Sequence, residues 1–383
     1  MGPLLAAALF LTHAPDTSWR AVDRAVARGI TAGGFPGLAV VVGRSDTTLL
    51  ARGYGQLGWN QPGTVDPHRT IYDLASLTKV VATTTAAMVL YDHGELDLDT
   101  PVSRYLPEWS IGSRARVTVR ELLTHRSGLP AGRDLWQVAR SSRAARSAVL
   151  ATPLESAPGS HYIYSDLGAD IMGLVVERIS HERLDVFLER HVYGPLHMRA
   201  TGFRPPAAWR RDIARTEAPA GQVLDRNAAA LGGVAGHAGL FSTAADLAVF
   251  ARLMLGNGTY RHVRIFSDST VARFTHAQFG SQALGWELCA GASCGQYMSP
   301  AAFGHTGYTG TSLWIDPVHD LFVIVLANWA SGSPAHPAGP IAILDDVRAD
   351  IADLAMAYVA GAPRGPVPEP AAVDLRSPFQ RGW

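Results

Sequence analysis

The strand-like segments of this chain fall near its two ends, and the helical patterns lie between them. Apolar runs that predict strands occupy residues 38–42, 48–51, 283–288, 311–315 and 321–326. Apolar residues at helical spacing occupy residues 19–30, 76–91, 119–125, 166–179, 183–192, 244–255 and 341–358. Because the distant strands must meet to share a core, this order predicts a nested layout. One α/β domain is built from both ends of the chain, and a helical domain is inserted between them.

Length and composition describe a folded chain without a strong net field. Of its 383 residues, 47% are hydrophobic and 17% are charged, which is typical of globular proteins. The formal net charge is zero, so no global field attracts nucleic acid or an anionic membrane. No stretch reaches the roughly 18 apolar residues that a membrane span needs. We therefore expect no nucleic-acid partner and no stable membrane span.

The N-terminus and the cysteines bear on where the protein acts. Residues 4–14 have the length of a signal-peptide core, and residues 12–14 could serve as its cleavage site, although no Lys or Arg precedes them. An apolar extension that is retained is the alternative. Cys289 and Cys294 could form a disulfide, as in an exported protein, or stay free, as in the cytoplasm. We expect a periplasmic or secreted protein with a candidate signal peptide at residues 1–15.

One position holds the only lysine of the chain. Among 33 basic residues, Lys79 alone is not an arginine. A buried lysine can lose its proton near neutral pH, whereas arginine cannot. Ser76 lies three residues earlier, on the same face of the predicted helix, where the amine could help to take the hydroxyl proton. The alternative is a surface lysine one turn after an N-cap serine. The pair predicts an activated serine nucleophile.

Two later segments carry further groups that acyl transfer requires, namely a proton shuttle and donors for an oxyanion. Tyr164 stands before a predicted helix, where its phenol could point into a cleft, or where it could be a packed tyrosine beside the N-terminal Asp166. The segment His305-Thr306-Gly307 precedes a strand-like run, and its glycine lets a ligand approach the backbone closely. The alternative there is a glycine-rich hairpin edge.

Two histidines lie near these segments in the chain. His125 lies at the end of a short predicted helix, and we expect it to be a structural, hydrogen-bonded histidine. His237 lies in a segment rich in glycine, which is typical of backbone that lines a pocket. It could contact substrate or serve the fold, and both alternatives stay open.

The segments Ser76-Leu77-Thr78-Lys79, Tyr164-Ser165-Asp166 and His305-Thr306-Gly307 stand in a known order. They match the motifs Ser-x-x-Lys, Tyr-x-Asn and Lys- or His-Thr-Gly. With them the chain resembles the class C β-lactamase-like serine hydrolases, which include penicillin-binding D,D-peptidases, D-aminopeptidases and family VIII carboxylesterases. Residues 122–130 and 239–247 are also similar to that superfamily, and the resemblance covers about residues 19–361.

The resemblance implies an α+β, β-lactamase/transpeptidase-like fold. In that fold an antiparallel sheet is flanked by terminal helices, and a helical domain is inserted. We expect the sheet domain at residues 16–75 plus 265–361 and the mainly helical domain at residues 76–264. The Pro- and Gly-rich residues 362–383 predict a disordered tail.

The resemblance also implies a role for each site residue. Ser76 would be the acylated nucleophile, Lys79 and Tyr164 would share the role of base, and Tyr164 would protonate the leaving group. The backbone N–H groups of Ser76 and Tyr308 would form the oxyanion hole. No metal or organic cofactor is implied. The residues expected around the substrate are Asp166, His237, His305, Thr306, Gly307 and Tyr308.

Two residues depart from the β-lactamase pattern. Asp166 stands where most β-lactamases have asparagine, and an ionised carboxylate cannot donate to a substrate carbonyl. It could instead hold Lys79 as a cation. His305 stands where β-lactamases have lysine, and a neutral imidazole binds a carboxylate less well than an ammonium does. Both changes argue against an efficient β-lactamase.

The function that we expect is hydrolysis through an acyl-enzyme of an ester or a D-amino-acid peptide, as in an esterase or a D,D-carboxypeptidase. The partner is then a small-molecule or peptidoglycan-derived substrate, and the sequence leaves the oligomeric state open. The alternatives are a β-lactamase of weak activity, a non-catalytic relative that binds peptidoglycan or muropeptides, and an interaction module that uses the Pro-rich tail. A binder has no need of a titratable amine beside a serine, which favours the enzyme.

Replacement of the nucleophile tests this reading of the motifs. Ser76→Ala is expected to abolish turnover and covalent labelling by a fluorophosphonate, because no other hydroxyl lies one turn before Lys79. The melting temperature should change little. Mass spectrometry of the labelled peptide measures the adduct, and labelling that survives the substitution would contradict the assignment.

Overall fold

The structure, a computed structural model, describes residues 19–59, 61–331 and 341–360. The candidate signal peptide at residues 1–15 and the Pro-rich tail at residues 362–383 lie outside the described residues. Within those described ranges, none of the helices is both long enough and apolar enough to cross a membrane.

The regular elements follow one another in the order that the sequence patterns predict. The strands are β1 (Gly37–Gly43), β2 (Thr48–Gly58), β3 (Gln61–Thr64), β4 (Tyr72–Asp73), β5 (Gly202–Phe203), β6 (Leu240–Ser242), β7 (Thr259–Tyr260), β8 (Val263–Arg264), β9 (Glu287–Leu288), β10 (Phe303–Gly307), β11 (Thr311–Asp316) and β12 (Leu321–Ala327). The α-helices are α1 (Arg20–Thr31), α2 (Thr85–Asp92), α3 (Val119–Leu123), α4 (Leu135–Val138), α5 (Ser142–Ala151), α6 (Asp166–Ser180), α7 (Leu184–Leu188), α8 (Arg226–Ala230), α9 (Ala244–Leu255), α10 (Asp268–Thr275) and α11 (Ile341–Ala360).

The main sheet joins the two ends of the chain. Its strand order is β3-β2-β1-β12-β11-β10-β9, and every neighbouring pair is antiparallel. The central pair is β1 with β12, in which Val40 lies opposite Val325. The predicted α+β fold, with an antiparallel sheet made from both ends of the chain, is therefore confirmed.

The sheet is covered on both faces because side chains alternate along each strand. In β1, Leu38, Val40 and Val42 belong to the cluster formed with α1 and α11, whereas Ala39 and Val41 belong to the core shared with the helical region. From Leu321 to Ala327, the side chains of β12 alternate in the same way between these two clusters. The terminal helices α1 and α11 pack against each other, and α9 lies against β1, β11 and β12. Burial on both faces explains why these strands read as continuous apolar runs.

Several helix starts carry the side-chain caps that their sequences offer. Thr118 forms a capping box with Glu121 at the start of α3, and Thr243 accepts the N–H of Asp246 at the start of α9. Ser165 caps α6 by accepting the N–H of Gly168. This last cap fixes where α6 begins, and therefore where Asp166 lies.

One strand prediction is wrong in detail. The strand predicted at residues 283–288 is reduced to β9, because Gly285 has a φ of +79° and the Ala283 N–H closes a turn on the carbonyl of Trp286. The helix predicted from Ser76 begins with a π-helical turn, Lys79–Thr84, and becomes α-helical at α2. The segment His305-Thr306-Gly307 precedes β11 as predicted, and it is itself part of a strand, β10.

The proposed helical domain, residues 76–264, holds helices α2 to α9. A small sheet of order β4-β6-β5 links Tyr72 to Ser242, so strand β4 pairs with a strand from within this segment. We propose the division into residues 16–75 plus 265–361 and residues 76–264 on the basis of this nested order. Cys289 and Cys294, just after β9, form a disulfide.

Loss of the disulfide should weaken the fold only modestly. The bond joins residues five positions apart, and the chain-entropy estimate for so short a loop is about 2 kcal/mol. The double variant Cys289→Ser, Cys294→Ser should therefore lose about that much unfolding free energy in urea and should retain turnover, because neither cysteine belongs to the three motifs. A folded double variant without turnover would show that the bond shapes the active site.

Candidate active site

The serine that the sequence singles out lies on a strained turn. The residue before it, Ala75, has a φ of +46°, which is uncommon for a residue with a side chain. Asp73 holds this turn, since its Oδ1 accepts the Ala75 N–H at 3.0 Å and its Oδ2 accepts the Leu224 N–H at 2.8 Å. Burial raises the pKa of Asp73 to about 6, although these two hydrogen bonds oppose that shift. The turn sets Ser76 at the start of the helix that carries Lys79.

Lys79 uses its ammonium group to reach three partners. Its Nζ lies 2.8 Å from Ser76 Oγ, 2.7 Å from Asp166 Oδ1 and 3.4 Å from the carbonyl oxygen of His237. The residue is only 3% exposed. Burial alone would lower the pKa of Lys79, but the negative charge of Asp166, with a smaller contribution from Tyr164, outweighs burial and raises that pKa above its ordinary value. Lys79 is therefore an ammonium ion in the resting site.

Asp166 is the partner that holds this charge. It is the first residue of α6, and its carboxylate faces the cleft from the end of that helix. Burial would raise its pKa, but Lys79 and His237 lower the pKa of Asp166 below its ordinary value. Both members of the pair are thus charged. The expectation that Asp166 holds Lys79 as a cation agrees with this contact.

Tyr164 lies over the ammonium group, with the centre of its ring 4.8 Å from Lys79 Nζ. Burial raises the pKa of Tyr164, while Lys79 acts in the opposite direction. His125 packs against it at 4.6 Å between ring centres, and its Nδ1 accepts the Ser165 N–H at 3.1 Å. Burial and the charge of Lys79 lower the pKa of His125 to about 3, so the ring is neutral and can accept this bond. The prediction of a hydrogen-bonded structural histidine is confirmed.

His305 forms the opposite wall of the cleft, with its ring 6.0 Å from that of Tyr164. Its Nδ1 donates to the carbonyl of Thr306 at 2.6 Å, and its Nε2 lies 3.8 Å from Glu287 Oε1. Burial lowers the pKa of His305, although Glu287 opposes that shift. In the neutral ring the proton is on Nδ1, so Nε2 carries the lone pair. Thr306 and Gly307 continue the same strand toward Tyr308.

The hairpin formed by β10, which carries His305, and β11 is tied to the turn that carries the nucleophile. Thr309 donates to the carbonyl of Asp73 at 2.6 Å, and Thr311 donates to the carbonyl of Leu74 at 2.9 Å. The buried Arg348 of α11 donates to the carbonyl of Thr311 at 2.8 Å. These bonds fix the spacing between the two walls of the cleft.

His237 lies behind Lys79 and is 2% exposed. Its Nδ1 is 2.7 Å from Asp170 Oδ1, and its Nε2 is 3.0 Å from Asp225 Oδ1. Both ring nitrogens are therefore engaged with carboxylates, and only the backbone carbonyl of His237 reaches the catalytic group.

The fold brings Ser76, Lys79, Tyr164, Asp166 and His305 together in one cleft. The sequence patterns do not reveal four acidic residues and one arginine that support the cleft. Asp170 carries a usable signal, because it follows Asp166 by one helical turn. Asp73 lies three residues before Ser76, and the other three are close to the site only in space. The missed residues are Asp73, Asp170, Asp225, Glu287 and Arg348.

Comparisons with known proteins agree with this geometry. The family model described as Beta-lactamase matches residues 22–348. A curated protein of Salmonella agona (strain SL483), provisionally named a D-alanyl-D-alanine carboxypeptidase, is 33% identical over 353 aligned positions, which cover 79% of this chain and 81% of that protein. Two solved structures share the fold. D-alanine carboxypeptidase AmpC from Burkholderia cenocepacia has a TM-score of 0.70 at 22% identity and covers 90% of this chain and 99% of its own. EstCE1, a hydrolase with promiscuous acyltransferase activity, has a TM-score of 0.67 at 22% identity and covers 86% and 98%. The chain therefore belongs to the β-lactamase family, and it is a serine hydrolase of that family.

Proposed function

We propose that Ser76 attacks the carbonyl carbon of an ester or a D-amino-acid peptide and forms an acyl-enzyme. The observation that carries this proposal is the 2.8 Å contact between Ser76 Oγ and Lys79 Nζ inside a buried site. The serine proton passes to the pair formed by Lys79 and Tyr164. At rest Lys79 is an ammonium and burial keeps Tyr164 a neutral phenol, so the pair can accept this proton only after it has released one of its own to solvent. In that state the Tyr164 oxygen is the acceptor, and the Lys79 ammonium stabilises its negative charge.

The remaining steps balance this first proton transfer. Tyr164 gives the proton to the leaving oxygen or nitrogen as its bond to the carbonyl carbon breaks. Water then attacks the acyl carbon by the same route in reverse and releases the acid and free Ser76. The N–H groups of Ser76 and Tyr308 are our candidates for the oxyanion hole, and Asp166, Thr306 and Gly307 are our candidates for contact with the substrate.

Within this reaction class we favour esterase or D,D-carboxypeptidase activity over β-lactamase activity. Asp166 cannot donate to a lactam side-chain amide, and His305 is neutral where a β-lactamase carries an ammonium. The provisional name of the Salmonella relative supports a peptide substrate, and EstCE1 supports an ester. A binder of muropeptides without turnover is the second candidate, but a binder has no need of an ammonium group 2.8 Å from a serine hydroxyl.

We also propose that the protein acts outside the cytoplasm. A disulfide between Cys289 and Cys294 fits an oxidising compartment. A substrate derived from peptidoglycan would be found there. Expression of the full chain, followed by mass spectrometry of its N-terminus and of its free thiols, tests this localisation. An intact Met1 with two free thiols would refute it.

A substrate panel tests the function itself. The wild type and Ser76→Ala are compared on short-chain p-nitrophenyl esters, on peptides ending in D-Ala-D-Ala and on nitrocefin. We expect turnover of an ester or a peptide that disappears in Ser76→Ala, and weak or no turnover of nitrocefin. If nitrocefin is the best substrate, the ranking of esterase or peptidase activity above β-lactamase activity is wrong. If the wild type forms no adduct at Ser76, the proposed acyl-enzyme function is wrong.

The identity of the ammonium group can be tested by a charge-conserving change. Lys79→Arg is expected to lower the rate by at least about 10²-fold, nearly as much as Lys79→Ala. Arginine keeps the charge but neither titrates nor fits as a compact group between Ser76 and Asp166. Single-turnover acylation measures the effect. An arginine variant with nearly full activity would show that Lys79 acts only as a fixed positive charge.

The acidic partner can be tested by an isosteric change. Asp166→Asn removes an anion, so the pKa values of Lys79 and Tyr164 should both fall. The acid limb of the pH–rate profile should move to lower pH, because the proton acceptor then loses its proton more readily. The ratio of nitrocefin to ester turnover should rise, since asparagine can donate to a lactam amide. If neither quantity moves, Asp166 serves only the start of α6.

A further inference from the structure

The group behind the catalytic lysine is a histidine clamped between two carboxylates. Asp170 Oδ1 lies 2.7 Å from His237 Nδ1, and Asp225 Oδ1 lies 3.0 Å from His237 Nε2. Ionised carboxylates only accept hydrogen bonds, so both ring nitrogens must donate. A neutral imidazole has one N–H, and only the imidazolium ion has two. The geometry therefore places a proton and a positive charge on His237.

The two carboxylates belong to different helices. Asp170 lies on α6, one turn after Asp166, and the two side chains share a face of that helix. Asp225 is the N-cap of α8, where its Oδ1 also accepts the Ala228 N–H at 2.7 Å. His237 thus links two helices of the same core. One is α6, whose Asp166 contacts Lys79, and the other is α8.

The backbone of the histidine segment is fixed by the same contacts. Asp170 Oδ1 also accepts the N–H groups of Gly236 at 2.9 Å and of His237 at 3.3 Å. A Cβ at Gly236 would lie 2.0 Å from the carbonyl oxygen of Ala169, so only glycine allows this close approach to α6. Ring, backbone and helix therefore move as one unit.

Two consecutive carbonyls leave this segment toward the lysine helix. The carbonyl of Gly236 accepts the Thr83 hydroxyl at 2.6 Å, and the carbonyl of His237 accepts Lys79 Nζ at 3.4 Å. Thr83 follows Lys79 by one turn, so the segment contacts the lysine helix at two successive levels. The third ammonium donor of Lys79 is directed by a carbonyl whose place depends on the His237 clamp.

The carboxylates around the clamp all favour the charged form of the His237 ring. Burial opposes the imidazolium, but Asp170, Asp225 and Asp166 raise the pKa of His237 well above its ordinary value. His237 in turn lowers the pKa values of Asp166 and Asp225. The other charged groups that face the cluster are Lys79, Arg146 of α5 opposite Asp170, and Asp73 near Asp225.

We propose that His237 is a positioning residue for acyl transfer at Ser76. Its imidazolium locks the carbonyl that orients the Lys79 ammonium, and its charge keeps Asp166 ionised as the partner of Lys79. This inference rests on the proposed acyl-enzyme function. Direct contact of the ring with substrate is disfavoured, because the side chain is 2% exposed and both nitrogens are occupied.

The charge of the ring can be observed without any substrate. In protein labelled with ¹⁵N-histidine, both ring nitrogens of His237 should show the shifts of imidazolium at pH 7 and should keep them at pH 8. The resonance is identified by its loss in His237→Asn. A neutral ring at pH 7 would overturn the proposal.

The effect on catalysis is measured with two variants that each keep one donor. Asn at position 237 can reproduce the bond from Nδ1, and Gln can reproduce the bond from Nε2, but neither carries the charge. Both should acylate with a fluorophosphonate at least about tenfold more slowly, with KM for an ester within about twofold of the wild type. Loss of the positive charge raises the pKa values of Asp166 and Tyr164, so the acid limb should move to higher pH.

His319 provides a matched control. Its Nδ1 lies 2.8 Å from Asp316 in the turn between β11 and β12, and His319→Gln should leave both the rate and the acid limb unchanged. A folded His237→Gln protein with wild-type acylation and an unmoved acid limb would overturn the inference, while the acyl-enzyme proposal would stand. A wild type that takes no label at Ser76 would overturn the proposed function and, with it, the positioning role.

Asp225→Asn serves if the histidine variants do not fold. Asparagine keeps the N-cap of α8 and can bond to Nε2, but it removes one of the two charges that hold the proton. The titration of His237 should then move to lower pH. An unchanged titration would show that the clamp does not set the charge.

Discussion

The contact between Lys79 and Asp166 sets the conditions for the rest of the site. Their side chains are 4% and 18% exposed, so two opposite charges are held largely away from water. A buried charge is tolerated only when it is paired, and removing one partner leaves the other uncompensated. The pair also joins the helix that begins at Ser76 to the N-terminus of α6. The geometry of the nucleophile and the arrangement of two core helices therefore depend on the same ion pair.

Charges of alternating sign extend this pairing into the core. Asp166 faces Lys79, and one turn later Asp170 faces His237, which is shared with Asp225. Each cation lies against a carboxylate of α6, so neither is left isolated in a medium of low dielectric. A chain of this kind couples its members, and a change at His237 is felt at Asp166 and then at Lys79. The cluster is best treated as one titrating unit.

The sequence predicts the elements whose causes are local. Some features can be predicted from the sequence because each depends on neighbouring residues. These are the apolar runs of β1 and β12, the Thr243 cap of α9 and the spacing of Ser76 and Lys79. The clamp on His237 cannot be predicted from the sequence, since its two carboxylates lie 67 and 12 residues away and are brought together only by packing. The shortness of β9 was missed for a local reason, as the left-handed φ of Gly285 interrupts an otherwise strand-like pattern.

The two departures from the β-lactamase pattern change the charge of the cleft in the same direction. Aspartate in place of asparagine at Asp166 adds a negative charge. A neutral histidine in place of lysine at His305 removes a positive one. Glu287, 3.8 Å from the His305 ring, adds another carboxylate to the same wall. A substrate that ends in a carboxylate meets a less favourable field here than in a site with lysine, whereas an uncharged ester pays no such penalty. Protonation of His305 at lower pH would restore one positive charge between Glu287 and the substrate, so carboxylate substrates should gain on esters as the pH falls. We therefore expect the preference between ester and peptide to depend on the protonation of His305, while the proposed nucleophile and its ion pair would serve both reactions.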